Sequence, residues 1–472
     1  MKKQTLLACS ILAATLLLTG RSTVAAEKHN ALLASGRFLH IPGPNPILVP
    51  GKEGAWDDGV IEAADALEDR GSYYLFYHGT GSGKGYQLGV ATAAHPLGPF
   101  RKHGNKPVLE IGPKGSWDDR HVACAMILKE GVDQYTMWYS GHGSSKEHPG
   151  WSVGLATASH PLGPWKKHAA NPILKRFGYV GGVVEAAGQY WLYTAHPIGS
   201  TGADYSPMSL AVADSPAGPW TPYAKNPVLR QGRWGEWDDG GYSEAEVLYS
   251  GGIFHIFYGG AKLDPERIRT RESIGYAYST DGYHFTKYTG NPVAAHQANP
   301  NAAAFAEVHA IIEPPVIYLY HTLRYRRPPS PAEAEQFPNV EHLGVQMLVT
   351  GSPFRLDVPV LTRATLAPKT ATSLEDCPPI CLSSVKRVAL TVECTYHRKG
   401  VFPLTVAIHS SPDGERYDTV SLHNLVNSFD AGRRCQKTIE IDTSARFLKV
   451  LVNNPDPSQS ISSIKVTATL GG

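Results

Sequence analysis

One short phrase, repeated along the chain, constrains the fold more than any other feature. His95-Pro-Leu-Gly-Pro-Phe100 precedes Asn105-Lys-Pro-Val-Leu109, and His160-Pro-Leu-Gly-Pro-Trp165 precedes Asn171-Pro-Ile-Leu174. Ser215-Pro-Ala-Gly-Pro-Trp220 precedes Asn226-Pro-Val-Leu229, and Asp281-Gly-Tyr-His-Phe285 precedes Asn291-Pro-Val293. Asn45-Pro-Ile-Leu48 is the tail of the same phrase without its head. The copies recur roughly every 55–65 residues, the length of one small sheet in a radial array.

Between the copies lie aromatic strand formers: Tyr73–Tyr77, Tyr135–Tyr139, Tyr190–Tyr193, Phe254–Tyr258 and Val316–Tyr320. A further strand follows in each unit, such as Gln87–Thr92 and Ser152–Thr157. No segment carries a long helical period. Several short strands per unit, five times over, predict a closed ring of small sheets, because radial repetition leaves few exposed edges. The expectation is an all-β chain: a five-bladed β-propeller over residues 36–354, closed by the segment near Phe38–Leu48, followed by a C-terminal β-sandwich. Pro353–Pro379 reads as a junction, so 355–379 is assigned to it and 380–472 to the sandwich. There Val388–Val392, Leu404–Ile408, Thr438–Ile441, Phe447–Val452 and Ile464–Ala468 alternate in strand fashion.

Residues 1–26 read as an export signal. Lys2 and Lys3 precede an apolar run from Leu6 to Leu18, and Val24-Ala25-Ala26 offers small residues for cleavage. The run is short for a membrane span, and Arg21 stands where a lipidated cysteine would be, so a secreted or periplasmic protein without stable membrane insertion is expected. Lys and Arg number 44 against 42 Asp and Glu, so no basic excess draws nucleic acid. Of six cysteines, four lie near the C-terminus. In an exported module they predict two disulfides with three possible connectivities, of which Cys377 with Cys381 and Cys394 with Cys435 is the one favoured, and a metal site is the rival reading.

Trp56-Asp-Asp58, Trp117-Asp-Asp119 and Trp237-Asp-Asp239 precede the innermost strand of three units. A shared triplet is expected to be scaffolding, except that Asp119 is followed by Arg120 and His121 where the sister units carry Gly-Val and Gly-Gly. Counting from the tryptophan exposes residues that are not shared. Glu62 aligns with Ala123 and Ser243, Glu244 with Ala63 and Cys124, and Asp65 and Glu246 with Met126. Folding of a repeat needs no such acid. The fifth unit adds Glu307 and His309, two apart, and the third offers His196, Asp204 and Tyr205 from a loop. Carboxylates gathered at a funnel suit glycoside hydrolysis, where one carboxylic acid protonates the leaving oxygen and a second carboxylate activates water or attacks the sugar. Asp65 or Glu62 is the expected base and Glu244 the acid. Glu246, Glu307 and His309 tune or bind, and Asp119, His121, His196, Asp204 and Tyr205 contact substrate.

The Gly-Pro-Trp/Phe phrase, the Asn-Pro-Val/Ile-Leu phrase and the aromatic strands resemble the five-bladed propeller glycoside hydrolases of families forty-three, thirty-two, one hundred and seventeen, and one hundred and thirty. The resemblance implies an oligo- or polysaccharide substrate and an exo-acting glycosidase with no certain cofactor; calcium in the central channel, near His309, is left open. The family-forty-three pattern of acids at the starts of the first three inner strands is not matched, since Met126 stands at one position and the third strand has no glutamate at its start. In family one hundred and seventeen a histidine can act as acid, a part His309 or His121 could take. Phosphate-using chemistry of the family-one-hundred-and-thirty kind ranks lower for an exported protein. The alternative is a non-catalytic, lectin-like propeller that binds carbohydrate.

Overall fold

The computed structural model describes residues 38–471 apart from short stretches at 82, 147–149, 196–206, 251, 263–270, 300–301, 326–340, 351–354, 383–384, 413, 415 and 442–443. The export-signal reading, His196, Asp204 and Tyr205 therefore lie outside the described residues. Within them the chain is all-β, with two 3-10 turns, His296–Ala298 and Leu374–Asp376, as the only helical elements. No helix among the described residues is long and apolar enough to cross a membrane.

Five four-stranded antiparallel sheets follow one another. The first comprises Ile61–Asp69, Ser72–Gly81, Lys84–Ala93 and Arg101–Lys102, and the second His121–Gly131, Gln134–His142, Ser152–Ala158 and Lys166–Lys167. The third begins at Tyr179–Ala186 and the fourth at Gly241–Ser250. The fifth contains Ala302–Glu313, Val316–Tyr325 and Glu341–Val349, and takes its outer strand, Leu39–Pro42, from the start of the described chain, with Leu39 opposite Val349. The headless first copy of the repeat thus belongs to the last sheet. The first strands of the sheets touch in a cycle: the first touches the second, and so on to the fifth, which touches the first again.

The repeated phrases have a mechanical explanation. Asn171, Asn226 and Asn291 each use the side-chain amide to bond both backbone groups of a residue on the preceding strand: Leu155, Leu210 and Tyr276. Asn45 accepts from Val345 N–H in the fifth sheet. Each tail is thereby pinned to the strand before it and closes its sheet. The shared Trp-Asp-Asp triplets are scaffolding as well. Trp56 and Trp237 stack on Tyr77 and Tyr258 at 5.7 and 5.8 Å. Asp57, Asp118 and Asp238 take Lys102, Lys167 and Lys287 as ion-pair partners at 2.5–2.6 Å. Gly89, Gly154 and Gly275 face these tryptophans so closely that a Cβ would come within 2.6–2.7 Å of the ring, which explains the glycine in each third strand.

The C-terminal region has two antiparallel sheets. One orders Arg355–Leu366, Ile461–Gly471, Arg387–Thr395 and Arg434–Ile441; the other is built around Phe447–Asn454 and Thr405–Ser411. Arg387–Thr395 buries every second residue, and Val388, Leu390, Val392 and Cys394 enter a core that continues into the first and fifth sheets of the ring. Two expectations are corrected here. Residues 355–379 are no linker, because Arg355–Leu366 is a strand paired along its length with Ile461–Gly471. Its prolines mislead: Pro359 stands beside a register shift, where a ladder tolerates a missing N–H. The cysteines among the described residues are unbridged. Cys394 and Cys435 are cross-strand neighbours, yet both are free thiols, and Cys377 instead accepts the Val450 N–H.

Candidate functional site

Every innermost strand of the ring is irregular at the same place. Register shifts fall between Ala63 and Asp65, Ala123 and Met126, Val180 and Gly182, Tyr242 and Ala245, and Ala306 and His309. A bulge inserts an extra residue and re-aims the side chains around it. Two of the bulged residues, Cys124 (φ 47°) and Glu307 (φ 45°), adopt the left-handed backbone that L residues avoid. Such strain persists only where the surroundings enforce it, and it concentrates at functional sites.

The bulges frame a cavity of about 330 Å³ at one end of the ring. Glu62, Glu244, Glu307 and Glu341 supply carboxyl groups to it, Arg324 and His78 supply cations, and Tyr86, Trp151 and Tyr179 supply aromatic faces. A larger cavity of about 820 Å³ lies between the first sheet and the C-terminal strands, lined largely by threonines and scattered charges. It gathers no Phe, Tyr or Trp, so the smaller cavity is the candidate site.

Arg324 organises the acids. Its Nη1 donates to Glu272 at 2.7 Å, its Nη2 to Glu307 at 3.0 Å and its Nε to Glu341 at 2.8 Å, while Glu62 lies 3.6 Å from Nη2. His78 Nε2 lies 2.7 Å from the second Glu62 oxygen. The consequences differ residue by residue. Burial disfavours the Glu62 anion, but the hydrogen bond and charge of His78, together with Arg324, outweigh it and pull Glu62 well below the usual carboxylate range. Glu244 is pushed up to about 7, chiefly by burial. Glu341 also rises to about 7, through burial and repulsion from Glu62. Glu307 sits well above the ordinary range despite its ion pair, because burial and the charges of Glu62, Glu272 and Glu244 overcome the guanidinium. One cavity therefore holds an ionised carboxylate, Glu62, and a carboxylic acid that keeps its proton near neutrality, Glu244.

A second layer lies deeper. Asp65, Glu246 and His309 are each about 2% exposed and do not line the cavity. Asp65 accepts the backbone N–H groups of Ala66 and Ile127, so it ties the first sheet to the second and is not the free base expected from sequence. Burial raises it to about 8, and burial with the neighbouring Asp65 raises Glu246 well above the ordinary carboxylate range. His309 stands between the layers, 3.9 Å from Glu244 on one side and 3.6 and 3.8 Å from Glu246 and Asp65 on the other. Burial lowers it to about 3, so it is a neutral imidazole and no acid of ordinary strength. Each residue of this trio offers a ligand atom within 4.8 Å of the others. Calcium takes six to eight oxygens, whereas here a nitrogen and two carboxylates converge and both Asp65 oxygens are engaged. The trio does not fit calcium.

Two predicted contact residues are corrected. Asp119 accepts from Gly115 N–H and from the Ser144 backbone and hydroxyl, so it caps a loop away from the cavity. These bonds, that of Gly115 first, lower its pKa to about 2. Its equivalents bond in the same way, Asp58 to Gly54 and Asp239 to Gly235, which marks a shared turn. His121 accepts the Tyr86 N–H and packs on Trp151, supporting the cavity wall from behind. Sequence reasoning missed Arg324, Glu341 and His78. His78 follows the aromatic strand where sister units carry Ser140, Thr194, Gly259 and His321, so the repeat singles it out only in part.

No protein-family model and no curated protein matches the chain. Solved structures do match. The structural neighbours are propeller-type glycoside hydrolases, with a mannobiose phosphorylase among them. A structure of a BT0996 RGII complex aligns with a TM-score of 0.51 at 16% identity, over 68% of this protein and 95% of that one. A family 117 glycoside hydrolase from Zobellia galactanivorans aligns with a TM-score of 0.45 at 15% identity, over 67% and 91%. A Bombyx mori GH32 beta-fructofuranosidase aligns with a TM-score of 0.47 at 12% identity, over 94% and 97%. At 16% identity the first of these likenesses is one of fold alone, and the chemistry must be argued from the residues above.

Proposed function

We propose that the protein is an exported glycoside hydrolase. In this reading the five sheets are the blades of a propeller, the acidic cavity is the mouth of its funnel, and the two C-terminal sheets form a sandwich-like accessory module. The leader at residues 1–26 directs export. The observation that carries the proposal is the coexistence of Glu62, held ionised by His78 and Arg324, with Glu244, held protonated by burial, in one cavity. Groups pushed apart in this way divide acid and base roles between them. Glu244 donates its proton to the leaving glycosidic oxygen, and Glu62 supplies the carboxylate that activates water or attacks the sugar. Arg324 holds Glu62 and Glu307 in place, and Trp151 and Tyr179, whose rings lie 4.7 Å apart, offer faces for a sugar. The buried layer of Asp65, Glu246 and His309 lies beneath the cavity, so a chain end enters more readily than the middle of a polymer, which favours exo-action.

The test is a panel of aryl glycosides and cell-wall oligosaccharides presented to the wild-type protein and to Glu244→Gln. Wild type is expected to release the aglycone or a terminal sugar, and Glu244→Gln to lose about 10²–10⁴-fold in rate. Saccharide binding without turnover of any member would replace the enzyme with a lectin.

A further inference from the structure

One side chain at the cavity has no part in the acid–base chemistry. Cys124 lines the wall on the second sheet, at the position where the first sheet carries Ala63. It is buried, and its left-handed backbone lies within the bulge between Ala123 and Met126. His78, Cys124 and Glu244 each offer a ligand atom within 4.8 Å of the other two, and all three are buried. Nitrogen, sulfur and oxygen donors therefore converge on one point. That donor set suits zinc and similarly soft divalent ions, whereas calcium and magnesium take oxygen.

The imidazole is held in the manner of a metal ligand. Glu62 fixes His78 Nε2 at 2.7 Å, and an outer carboxylate of this kind orients ligating histidines. Among the described residues Nδ1 meets only the Cys124 N–H, at 3.4 Å, beyond the ordinary range of a hydrogen bond. The carboxyl group provides an independent observation. Glu244 Oε2 is buried with no hydrogen-bond partner among the described residues, and so is His309 Nε2. These two atoms face each other across 3.9 Å, too far to satisfy one another. Buried polar atoms left unmet are costly, and an ion bound at Glu244 Oε2 removes that cost.

We infer that the cavity binds a single zinc-class divalent cation through His78, Cys124 and Glu244, and that the ion competes with glycoside cleavage. The protons of the Cys124 thiol, the Glu244 carboxyl and the His78 imidazolium pass to solvent as the ion takes their place. The effect on cleavage rests on the reading of Glu244 as the acid, since a ligated carboxylate has no proton to give. The cation site itself does not depend on that reading.

The experiment titrates the full-length mature protein, first treated with a chelator, with Co²⁺ and then Zn²⁺ near pH 7.5. Cobalt reports a thiolate ligand through a near-ultraviolet charge-transfer band. One equivalent is expected to develop the band, and zinc to displace it, while calcium and magnesium do not. Cys124→Ala is expected to abolish the band, and Cys435→Ala, at the more exposed thiol of the C-terminal sheets, to keep it. Glu244→Gln is expected to weaken zinc binding by about a hundredfold, the upper range for loss of an outer-shell partner. No band in the wild type, a band that survives Cys124→Ala, displacement by calcium or magnesium, or unchanged zinc affinity in Glu244→Gln overturns the inference.

Turnover is scored separately, on any aryl glycoside that the chelated protein cleaves. One bound zinc is expected to lower the rate by about 10²-fold or more, the worth of the acid, and chelator to restore it. Full activity with the ion bound, or activity that requires the ion, overturns the inference and leaves the hydrolase. A Cys124-dependent cation in a protein that cleaves no glycoside keeps the cation site and sinks the hydrolase.

Discussion

Two layers of ionisable residues occupy the centre of this ring, and they come from the same strands. Glu62 and Asp65 lie on the first sheet, Glu244 and Glu246 on the fourth, and Glu307 and His309 on the fifth. The upper residue of each pair faces the cavity, while the lower is sealed beneath it. Two or three residues along a strand change a group from one that can meet a ligand to one that meets only protein. The upper layer is organised by ion pairs to Arg324 and His78. The lower is organised by backbone N–H groups and by proximity to a neutral imidazole. Similar acids thus face a cavity above and hold the sheets together below.

The sharpest way to break this comparison is to neutralise one acid in each layer. Glu62→Gln is expected to lower kcat by about 10²–10⁴-fold, the usual worth of an acid–base group. Glu246→Gln is expected to leave kcat of the same order. Comparable losses in steady-state assays would mean that the layers act as one unit.

Arg324→Gln probes what holds the upper layer together. Removing the cation of a buried cluster costs about 3–5 kcal/mol, to be read from urea unfolding near neutral pH. Lowering the pH is expected to recover part of the loss, as Glu341, at about 7, takes up a proton and no longer needs the guanidinium.

Stability against pH tests both layers at once. Asp65 (about 8), Glu244 (about 7) and Glu341 (about 7) hold protons in the folded chain that the unfolded chain releases in the ordinary carboxylate range. Below about 6.5 the neutral histidines His309 and His321 (about 3) and His121 and His342 (about 4) weigh the other way, so the carboxyl contribution is read above that pH, where the folded state binds more protons and stability falls as pH rises towards 8. Glu62 has the opposite sign, but its contribution is lost only below that window. A melting temperature that rose from pH 6.5 to 8 would contradict these assignments. The smallest effect is expected at Asp119→Ala, which removes loop-capping bonds outside both layers. It should lower the melting temperature slightly and leave KM unchanged, and an altered KM would return Asp119 to the site.

Much of this was legible because a repeat supplies its own control. Where sister units share a residue, as in the Trp-Asp-Asp triplets, the residue proved to be scaffolding: ring stacking, lysine pairing and turn capping. Where one unit departs, as at Glu62, Glu244 and Glu307, the residue lies at the central cavity. The same test fails when a departure has a local cause. Asp119 was singled out for its neighbours Arg120 and His121, yet its own bonds are those of its sisters. Arg324 and Glu341 escaped because they sit at strand ends beside 326–340, where the repeat provides no register.

By itself the sequence determined strand content, repeat number and which acids are singular, since these depend on local propensity and on comparing one unit with the next. Only the tertiary structure decided depth, charge state and partnership. A bulge turns a strand by one residue, and five strands from distant parts of the chain meet at the axis. Whether a carboxyl group there is an anion, an acid or a strut depends on neighbours far along the chain, such as Arg324 beside Glu62 and Ile127 bonding Asp65, and no local pattern records that distance.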